Sequence, residues 1–342
     1  MSLALDIEQA DHLTRYRGAL DVILRTQTKD GAIPWYDDGP WDPWNHSECL
    51  MALMAMGEHA AAEAGFAFLR ASQAPDGSWL GEFGNAVPMA DRLHMARVRG
   101  PTAKDTNFAG YPAVAVWRRW RRGGDLRLLR RDWPMVRAAI DFVIAQQSPF
   151  GDISWCAEVH GTLIDDSLLA GNACLVMSIA CAEEIAEAVG APRPDWRRSR
   201  ARLARAVKRL PERFDRQGVD RSTFAMDWYY PVLAGVFHEA TADARIDARR
   251  SEFVRATLGC HCVIGEPWVT VAESCELAMA LHRIGRRDEA RRLLALQHQQ
   301  RDLDGAYWMG FQYAEEIPWP QEKPSWTQAA VILAADVLQQ PV

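Results

Sequence analysis

The sequence predicts an all-α fold, an (α/α)6 toroid built from six helix pairs. Three observations favour it: one turn signal recurs six times, twelve segments have helical periodicity, and the two chain ends supply the halves of one pair. The chain has 342 residues, of which 49% are hydrophobic, and this is enough for one large core. We therefore predict a single domain over residues 1–342, with an insertion around residues 84–104.

The recurring signal is a turn that contains glycine and is often followed by tryptophan. Examples are QTKDGAIPW at 27–35, QAPDGSW at 73–79 and QQRDLDGAYW at 299–308. Glycine adopts a positive φ readily and stops a helix, so each turn separates one helix pair from the next. The six turns are marked by Gly31, Gly77, Gly151, Gly218, Gly265 and Gly305.

The segments between the turns have helical periodicity, and they alternate in composition. The first helix of each pair is mostly apolar, as expected of an inner helix that is buried on all sides, and the second is rich in charge. The predicted inner helices span 45–56, 107–121, 166–189, 228–240, 270–284 and 325–339. The predicted outer helices span 60–72, 133–147, 195–210, 246–258, 287–300 and, at the N-terminus, 10–26.

The competing architecture is an open α-solenoid. A closed ring is favoured because the two chain ends share one repeat and because the number of repeats is six. No segment shows the convincing alternation of apolar and polar residues that is typical of strands.

The composition argues against several classes of partner. The net charge of −6 gives no electrostatic case for nucleic acid, and no run of about 18 apolar residues suggests a membrane span. The N-terminus lacks a signal peptide and the seven cysteines are irregularly spaced, so we expect a cytoplasmic, reduced protein. The run Cys260-His261-Cys262 lacks the spacing of a structural zinc site, and we expect neither metal nor cofactor.

In a closed ring all inner helices point the same way, so their N-termini meet at one end. We call the segments that lead into these helices, with their first turns, the rim. They read WDPWNHSE at 41–48, KDTNFAGY at 104–111, LIDDSLLAGN at 163–172, AMDWYYP at 225–231, PWVTVAES at 267–274 and KPSWTQ at 323–328. A single acid here is explained by helix capping. Acids that gather with Trp and Tyr rings indicate a carbohydrate cleft instead.

Cleavage of a glycosidic bond needs two carboxyl groups that flank the bond. One must be protonated at neutral pH, which burial or a nearby negative charge favours. We expect Glu273 to be this acid, because Val271 and Ala272 make its surroundings apolar, and Asp42 or Asp227 to be its partner. Inversion of the anomeric centre is expected, with a carboxyl separation of roughly 6.5–9.5 Å.

Other rim residues are candidates for sugar binding. Some of these aromatic rings are expected in the core, His46 is alternatively a satisfied buried histidine, and Glu276 is alternatively a structural acid. The candidate sugar platforms are Trp35, Trp41, Trp44, Trp228, Tyr229, Trp268, Trp308 and Trp326. The candidate polar contacts are His46, Asp105, Asp165, Asp166 and Glu276.

Five segments resemble a known family: GAIPW, WDPWNH, FAMDWYYPVL, PWVTVAESCELAMAL and PSWTQAAVILA. They look like the hydrolases associated with mycobacterial methylmannose polysaccharide, α-endomannanases on an (α/α)6 barrel that are often labelled prenyltransferases. The resemblance implies that Asp42 and Glu273 hold the acid positions. It also implies an intracellular substrate of α-1,4-linked mannose units with 3-O-methyl groups. The insertion at 84–104 has no matching segment in this family.

Three other functions use similar toroids. QAPDGSW resembles the repeat of squalene-type cyclases and prenyltransferases, but Asp165-Asp166 stands without a D-x-D-D motif, and no Cys, His and Asp set for zinc is evident. A non-catalytic carbohydrate-binding toroid would tolerate loss of Asp42 and Glu273. An epimerase or unsaturated glycuronyl hydrolase also uses this scaffold; an epimerase is expected to carry paired histidines, which His46 and His94 do not obviously supply.

Overall fold

The computed structural model describes residues 14–37, 39–81, 83–84, 103–158, 164–218 and 220–339. The insertion expected around 84–104 lies almost entirely outside these ranges, as do residues 10–13 of the first predicted helix. The helices within them are α1 (Arg17–Thr26), α2 (Pro43–Ala55), α3 (His59–Ser72), α4 (Thr106–Gly110), α5 (Pro112–Gly123), α6 (Leu126–Ala145), α7 (Leu169–Ala188), α8 (Pro194–Arg209), α9 (Ala225–Leu233), α10 (Glu239–Phe253), α11 (Val271–Arg283), α12 (Arg287–Gln297) and α13 (Ser325–Leu338).

Six helices form a closed inner ring, which confirms the predicted toroid. Helix α2 packs on α5, and contacts continue through α7, α9, α11 and α13 back to α2. Six outer helices pack against the inner ring, and α1 packs mainly on α13. The two ends of the chain therefore form one pair, as predicted, and an open solenoid would lack the α13–α2 contact.

The inner helices are buried on nearly all sides because their sequences are apolar on nearly all sides. Every residue of α2 except Asn45 is buried. The outer helices bury one stripe each: in α8 the buried residues are Trp196, Ser199, Leu203, Ala206 and Val207. This three- and four-residue spacing is the pattern of an amphipathic helix that lies on a core.

Helix α7 is long and apolar enough, by composition alone, to cross a membrane. Its mean hydropathy over 18 residues is 1.4, and 67% of that window is buried inside the ring. The inner position of α7 accounts for this composition, because a core helix must be apolar on every side.

Two outer helices, predicted over 133–147 and 246–258, begin seven residues earlier than expected, at Leu126 and Glu239. Two inner helices also differ from prediction. The helix predicted over 228–240 begins earlier and ends at Leu233, because Gly235 has a φ of 74° and breaks the helical path. The helix predicted over 107–121 is interrupted at Tyr111, just before Pro112. A proline has no N–H to donate to the preceding turn, so the segment divides into α4 and α5.

The expectation of no strands is wrong for the described residues, which contain nine strands of two or three residues. These strands are too short to show the alternation of apolar and polar residues from which a strand is predicted. They are β1 (Pro40–Trp41), β2 (Phe83–Gly84), β3 (Ala103–Asp105), β4 (Cys156–Glu158), β5 (Val254–Arg255), β6 (Gly259–His261), β7 (Trp268–Thr270), β8 (Gly310–Gln312) and β9 (Ile317–Pro318). The last five form one antiparallel sheet, in chain order.

Three of the six turns share a structural reason for their sequence, which is a glutamine that fastens the turn to the next outer helix. Gln73 donates to the Gly77 carbonyl at 2.9 Å and to the Met135 carbonyl of α6 at 3.0 Å. Gln27 and Gln147 make the equivalent pairs of bonds, to α3 and α8. The bonds satisfy backbone groups that the turn would otherwise leave unpaired.

Substituting Gly77 should cost more stability than substituting a glycine of equal φ in open space. Gly77 has a φ of 90°, and an added Cβ would lie 2.1 Å from the Ala138 carbonyl of α6. Gly57 has a φ of 81° with no atom within 4 Å of such a Cβ. We expect Gly57→Ala to cost about 1–2 kcal/mol of unfolding free energy and Gly77→Ala clearly more. Equal losses in urea unfolding would contradict this.

Candidate active site

The rim segments meet at one end of the ring, because each is bonded or stacked against a neighbouring rim segment or against the turn that precedes one. Trp44 stacks on Tyr111 with ring centroids 4.5 Å apart, which joins α2 to α5. The other links, donor first, are Ser325 N to Trp35 O, Thr106 N to Trp155 O, Ala170 N to Asp227 Oδ1, Ala225 N to Cys262 O and Val271 N to Met309 O. Segments that are far apart in the chain therefore surround one site.

Asp42 is the N-cap of α2 and is fully enclosed by protein. Its Oδ1 accepts a bond from Asn45 N at 2.8 Å, and its Oδ2 accepts from Trp35 Nε1 and Asn45 Nδ2 at 2.6 Å each. Burial raises the pKa of Asp42 to about 6, although these donors favour the carboxylate. In this arrangement Asp42 fixes Trp35 and the start of α2, and it would have to release a donor to act as a base.

Asp227 lies in the first turn of α9 and reaches across to α7. Its Oδ1 accepts a bond from Ala170 N at 3.0 Å, and among the described residues no donor occupies Oδ2. Burial raises the pKa of Asp227 to about 7, with a further contribution from Asp215. Asp227 therefore combines a fixed position, a free oxygen and a proton near neutral pH.

Glu273 lies in the first turn of α11 and is partly exposed. The hydroxyl of Thr270, the N-cap residue, donates to Glu273 Oε2. The negative charge of Glu273 contributes to the raised pKa of the nearby Cys262 thiol, after burial, which is the larger cause. The apolar burial that the sequence suggested is therefore not found, and Glu273 stands at the rim where water and substrate have access.

Asp105 is the N-cap of α4, and its Oδ1 accepts a bond from Phe108 N at 3.0 Å. Burial raises its pKa to about 7, and the negative charge of Asp42 contributes in the same direction. Asp42, Asp105 and Asp227 all hold protons at higher pH than free aspartic acid does, chiefly because protein surrounds each carboxyl group.

The predicted substrate contacts Asp165 and Asp166 have other roles. Asp165 is 90% exposed at its side chain and pairs with Arg216 at 2.9 Å. Asp166 is buried and accepts bonds from the backbone N–H groups of Ser167 and Arg216 at 2.8 Å each. The expectation for Asp166 is therefore corrected: its Oδ1 holds the loop before α7, and little of it reaches solvent.

Three of the predicted sugar platforms are partly exposed at the rim, namely Trp268, Trp308 and Trp326. Trp326 packs edge-on against Trp35 with centroids 5.6 Å apart, and Lys323 lies 4.5 Å from the centre of the Trp308 ring. These rings are fixed by neighbours yet keep surface available for a ligand. Trp35 itself is buried and serves to hold Asp42.

Two other predicted platforms are wrong, because their rings lie between the inner and outer layers. Trp228 is 2% exposed, stacks on Phe253 of α10 at 4.9 Å and donates to the Arg245 carbonyl. Trp41 is 4% exposed and packs edge-on against Phe68 of α3 at 4.6 Å. Only some positions of each rim segment face the ring centre, and a tryptophan between layers packs the core instead.

His46 is a structural histidine, which corrects the expected substrate contact. It is 0% exposed, its Nδ1 accepts from Ile33 N at 3.1 Å, and its Nε2 lies 3.1 Å from the Gly65 carbonyl, to which it donates. Burial lowers its pKa to about 4, so it stays neutral. Within the described ranges, no group of three or more His, Cys, Asp or Glu residues is placed to hold a metal ion.

The inside of the ring holds a carboxyl pair that the sequence reasoning found only in part. Glu276 on α11 was a candidate, but Glu48 on α2 was not. Trp44 Nε1 and Tyr111 Oη donate to Glu48 Oε1 at 3.1 and 3.3 Å, and Tyr229 donates to Glu276 Oε2. Burial raises the pKa of Glu48 to about 7, and burial and the charge of Glu48 raise that of Glu276 well above its usual range. The sequence signal that could have indicated Glu48 is a single acidic residue within an otherwise apolar inner helix.

The chain was compared with known proteins. No family model matches it. It is 41% identical over 322 residues, 94% of this chain and 85% of the other, to a protein of Mycolicibacterium hassiacum (strain DSM 44199 / CIP 105218 / JCM 12690 / 3849) named MMP endo-(1,4)-3-O-methyl-alpha-D-mannosidase. The chain belongs to the family of this mannosidase. It is a glycoside hydrolase, and the isoprenoid, epimerase and purely binding alternatives are set aside.

Solved structures share the fold of this mannosidase-family chain. A wild-type glycosidase has a TM-score of 0.70 at 16% identity, covering 97% of this chain and 98% of its own. A D-mannose isomerase has a TM-score of 0.70 at 10% identity, covering 96% and 97%. At such low identity the likeness concerns the toroid alone, so the chemistry has to be argued from the rim and from the family.

Proposed function

We propose that this hydrolase cleaves internal α-(1→4) bonds of a mannose polysaccharide that carries 3-O-methyl groups. The proposal rests on the 41% identity, over 94% of the chain, to a protein with that named activity. The acid-rich rim supports it, because glycosidic cleavage requires carboxyl groups on both sides of the bond. A cytoplasmic location is part of the proposal, and the seven cysteines support it because none of them forms a disulfide.

In the proposed mechanism Asp227 is the general acid and Glu273 is the general base. A general acid needs a proton near neutral pH and a free oxygen, and Asp227 has both. Glu273 is partly exposed and oriented by Thr270, so it is suited to hold and activate a water molecule. This reverses the role first expected for Glu273, because that role required a buried, apolar carboxyl group.

Asp42 positions the site in this mechanism. Its three hydrogen bonds hold Trp35 and the first turn of α2, and Trp35 supports the Trp326 platform. The partly exposed rings of Trp268, Trp308 and Trp326 offer apolar surface to sugar C–H groups and to O-methyl groups. Water attack from the face opposite the leaving oxygen would invert the anomeric centre.

The experiment is incubation of the purified protein with 3-O-methylated α-(1→4)-mannan oligosaccharides, unmethylated α-mannan and an α-glucan. Mass spectrometry of the products identifies the bond cleaved, and early NMR spectra identify the anomer formed first. We expect internal cleavage of the methylated mannan with inversion. Cleavage of the α-glucan alone, or release of single terminal units, would contradict the proposed substrate or mode.

The value of kcat/KM for this substrate should fall as pH rises above about 7. The pKa of Asp227 is raised to about 7, and the acid must keep its proton to act, so activity is lost as pH rises through that value. The measurement is a pH–rate profile between pH 4 and pH 9. Asp227→Asn should lower the rate and remove this falling limb. A wild-type rate that stays flat up to pH 9 would exclude Asp227 as the acid.

A further inference from the structure

The carboxyl pair inside the ring lies at one depth below the rim. Glu48 is six residues after Asp42, the N-cap of α2, and Glu276 is six residues after Thr270, the N-cap of α11. At a rise of 1.5 Å per residue, Glu48 and Glu276 each lie about 9 Å along the helix axis from the N-cap residue. The two helices flank α13 in the ring, so both side chains approach the centre from the same half.

Each member of the pair uses one oxygen within the protein and leaves the other available. The bonds from Trp44 and Tyr111 both end on Glu48 Oε1, and the bond from Tyr229 ends on Glu276 Oε2. Among the described residues, no donor lies on Glu48 Oε2 or on Glu276 Oε1. The two residues keep 6% and 8% of their surface exposed, whereas a sealed structural acid such as Asp132 keeps none.

A third polar group near the pair lacks a partner. Asn107 is 9% exposed, and its buried Oδ1 has no hydrogen-bond partner within the described part of the chain. Asn107 lies four residues before Tyr111, so the two side chains share a face, and Asn107 is the nearer to the rim. Tyr111 donates to Glu48, and the Asn107 side chain lies one turn away beside Gly171 of α7.

Aromatic rings surround the carboxyl group of Glu48. Trp44 is parallel to Tyr111 within 12°, and Tyr230 lies 5.5 Å from Trp44. The faces of Trp44 and Tyr111 cover each other, so these rings orient Glu48 through their N–H and O–H groups and leave its second oxygen free to bind a sugar hydroxyl group. Two neighbouring carboxyl groups share protons readily, so the pair both donates and accepts hydrogen bonds, as hydroxyl groups require.

We propose that Glu48, Glu276 and Asn107 form the floor of a subsite that binds the hydroxyl groups of one uncharged sugar unit during cleavage. The inference rests on the proposed function and adds the residues that hold this unit. The acids above and around the floor make the site unfavourable for uronic acids, because a carboxylate ligand would meet carboxyl groups on several sides. The pair touches substrate, while Asp227 and Glu273 act on the bond.

Binding should be measured in the Glu273→Gln background, in which turnover is strongly slowed, with an α-(1→4)-linked 3-O-methylmannose tetrasaccharide as the probe. Isothermal calorimetry gives the affinity. We expect Glu48→Gln and Glu276→Gln each to weaken binding several-fold, up to about 10-fold, because a hydrogen bond between neutral groups contributes about 0.5–1.5 kcal/mol. Asn107→Ala should weaken binding without loss of stability, since its Oδ1 has no partner in the described protein.

The matched control is Glu183→Gln. Glu183 lies on inner helix α7 and is 8% exposed like Glu276, but it pairs with Arg200 at 2.7 Å. The Glu183→Gln substitution should leave the affinity for the tetrasaccharide unchanged. If the wild-type protein cleaves the polysaccharide but Glu48→Gln, Glu276→Gln and Asn107→Ala all keep full affinity while folded, the subsite is overturned and the function stands. If the wild-type protein cleaves no methylated mannan, the proposed function fails, and the subsite fails with it.

Discussion

Replacing Glu273 by glutamine should lower kcat on the methylated mannan by a factor of about 10² to 10⁴. This is the usual contribution of a positioned general acid or base, and glutamine cannot accept a proton from water. The substitution keeps the size of the side chain, and the Thr270 hydroxyl can still donate to the amide oxygen. We therefore expect substrate affinity and the unfolding midpoint to stay close to the wild-type values. The measurement is steady-state kinetics with a binding titration.

Glu315→Gln is the control for Glu273→Gln. Glu315 is an exposed acid that follows strand β8, in the sheet that also contains β7. Its replacement by glutamine removes the same charge as Glu273→Gln does. Its kcat should match the wild-type value. A Glu273→Gln variant that retains more than a tenth of the wild-type kcat would remove Glu273 from the chemical step.

Replacing Asp132 by asparagine should be the most destabilising of the changes considered, at about 3–5 kcal/mol. Asp132 is 0% exposed and accepts bonds from Arg70 at 2.6 Å, from Arg131 at 3.3 Å and from Arg119. Without its charge, the largely buried guanidinium of Arg119 loses its fully buried partner and keeps a bridge to the more exposed Glu63. Urea unfolding followed by circular dichroism measures the loss.

Glu252→Gln serves as the comparison for Asp132→Asn. Glu252 also pairs with an arginine, Arg249 at 2.8 Å, but on the exposed surface of α10. Solvent screens such a pair, and no measurable loss of stability is expected. If the two substitutions have the same effect, burial is not what makes the Asp132 network important.

The ring could be predicted because its cause is local and repeated. A glycine turn, an apolar helix and a charged helix recur along the chain, and each is set by neighbouring residues. Gln27, Gln73 and Gln147 show why the repeat exists, since each fastens its turn to the next outer helix. The short strands were not predicted, because two or three residues are too few to show an alternating pattern. Their pairing also joins segments that are far apart in the chain, such as β7 and β8.

The site was predicted in outline and corrected in detail. The rim positions of Asp42, Asp227 and Glu273 follow from helix starts, which a sequence reveals. Which way a side chain points does not follow: Trp228 turns outward onto Phe253, while its neighbour Tyr229 turns inward onto Glu276. Adjacent residues on a helix point about 100° apart, so a small rotation of α9 decides which one lines the ring.

The sequence by itself determined the toroid, the order of its helices and the end at which the acids gather, because these depend on periodicity and on turn chemistry. Only the tertiary structure decided which carboxyl groups keep their protons. That property depends on burial and on charges brought together by folding, as when Glu48 of α2 faces Glu276 of α11. The spacing of residues along the chain does not reveal which buried acids lie near one another in the folded protein.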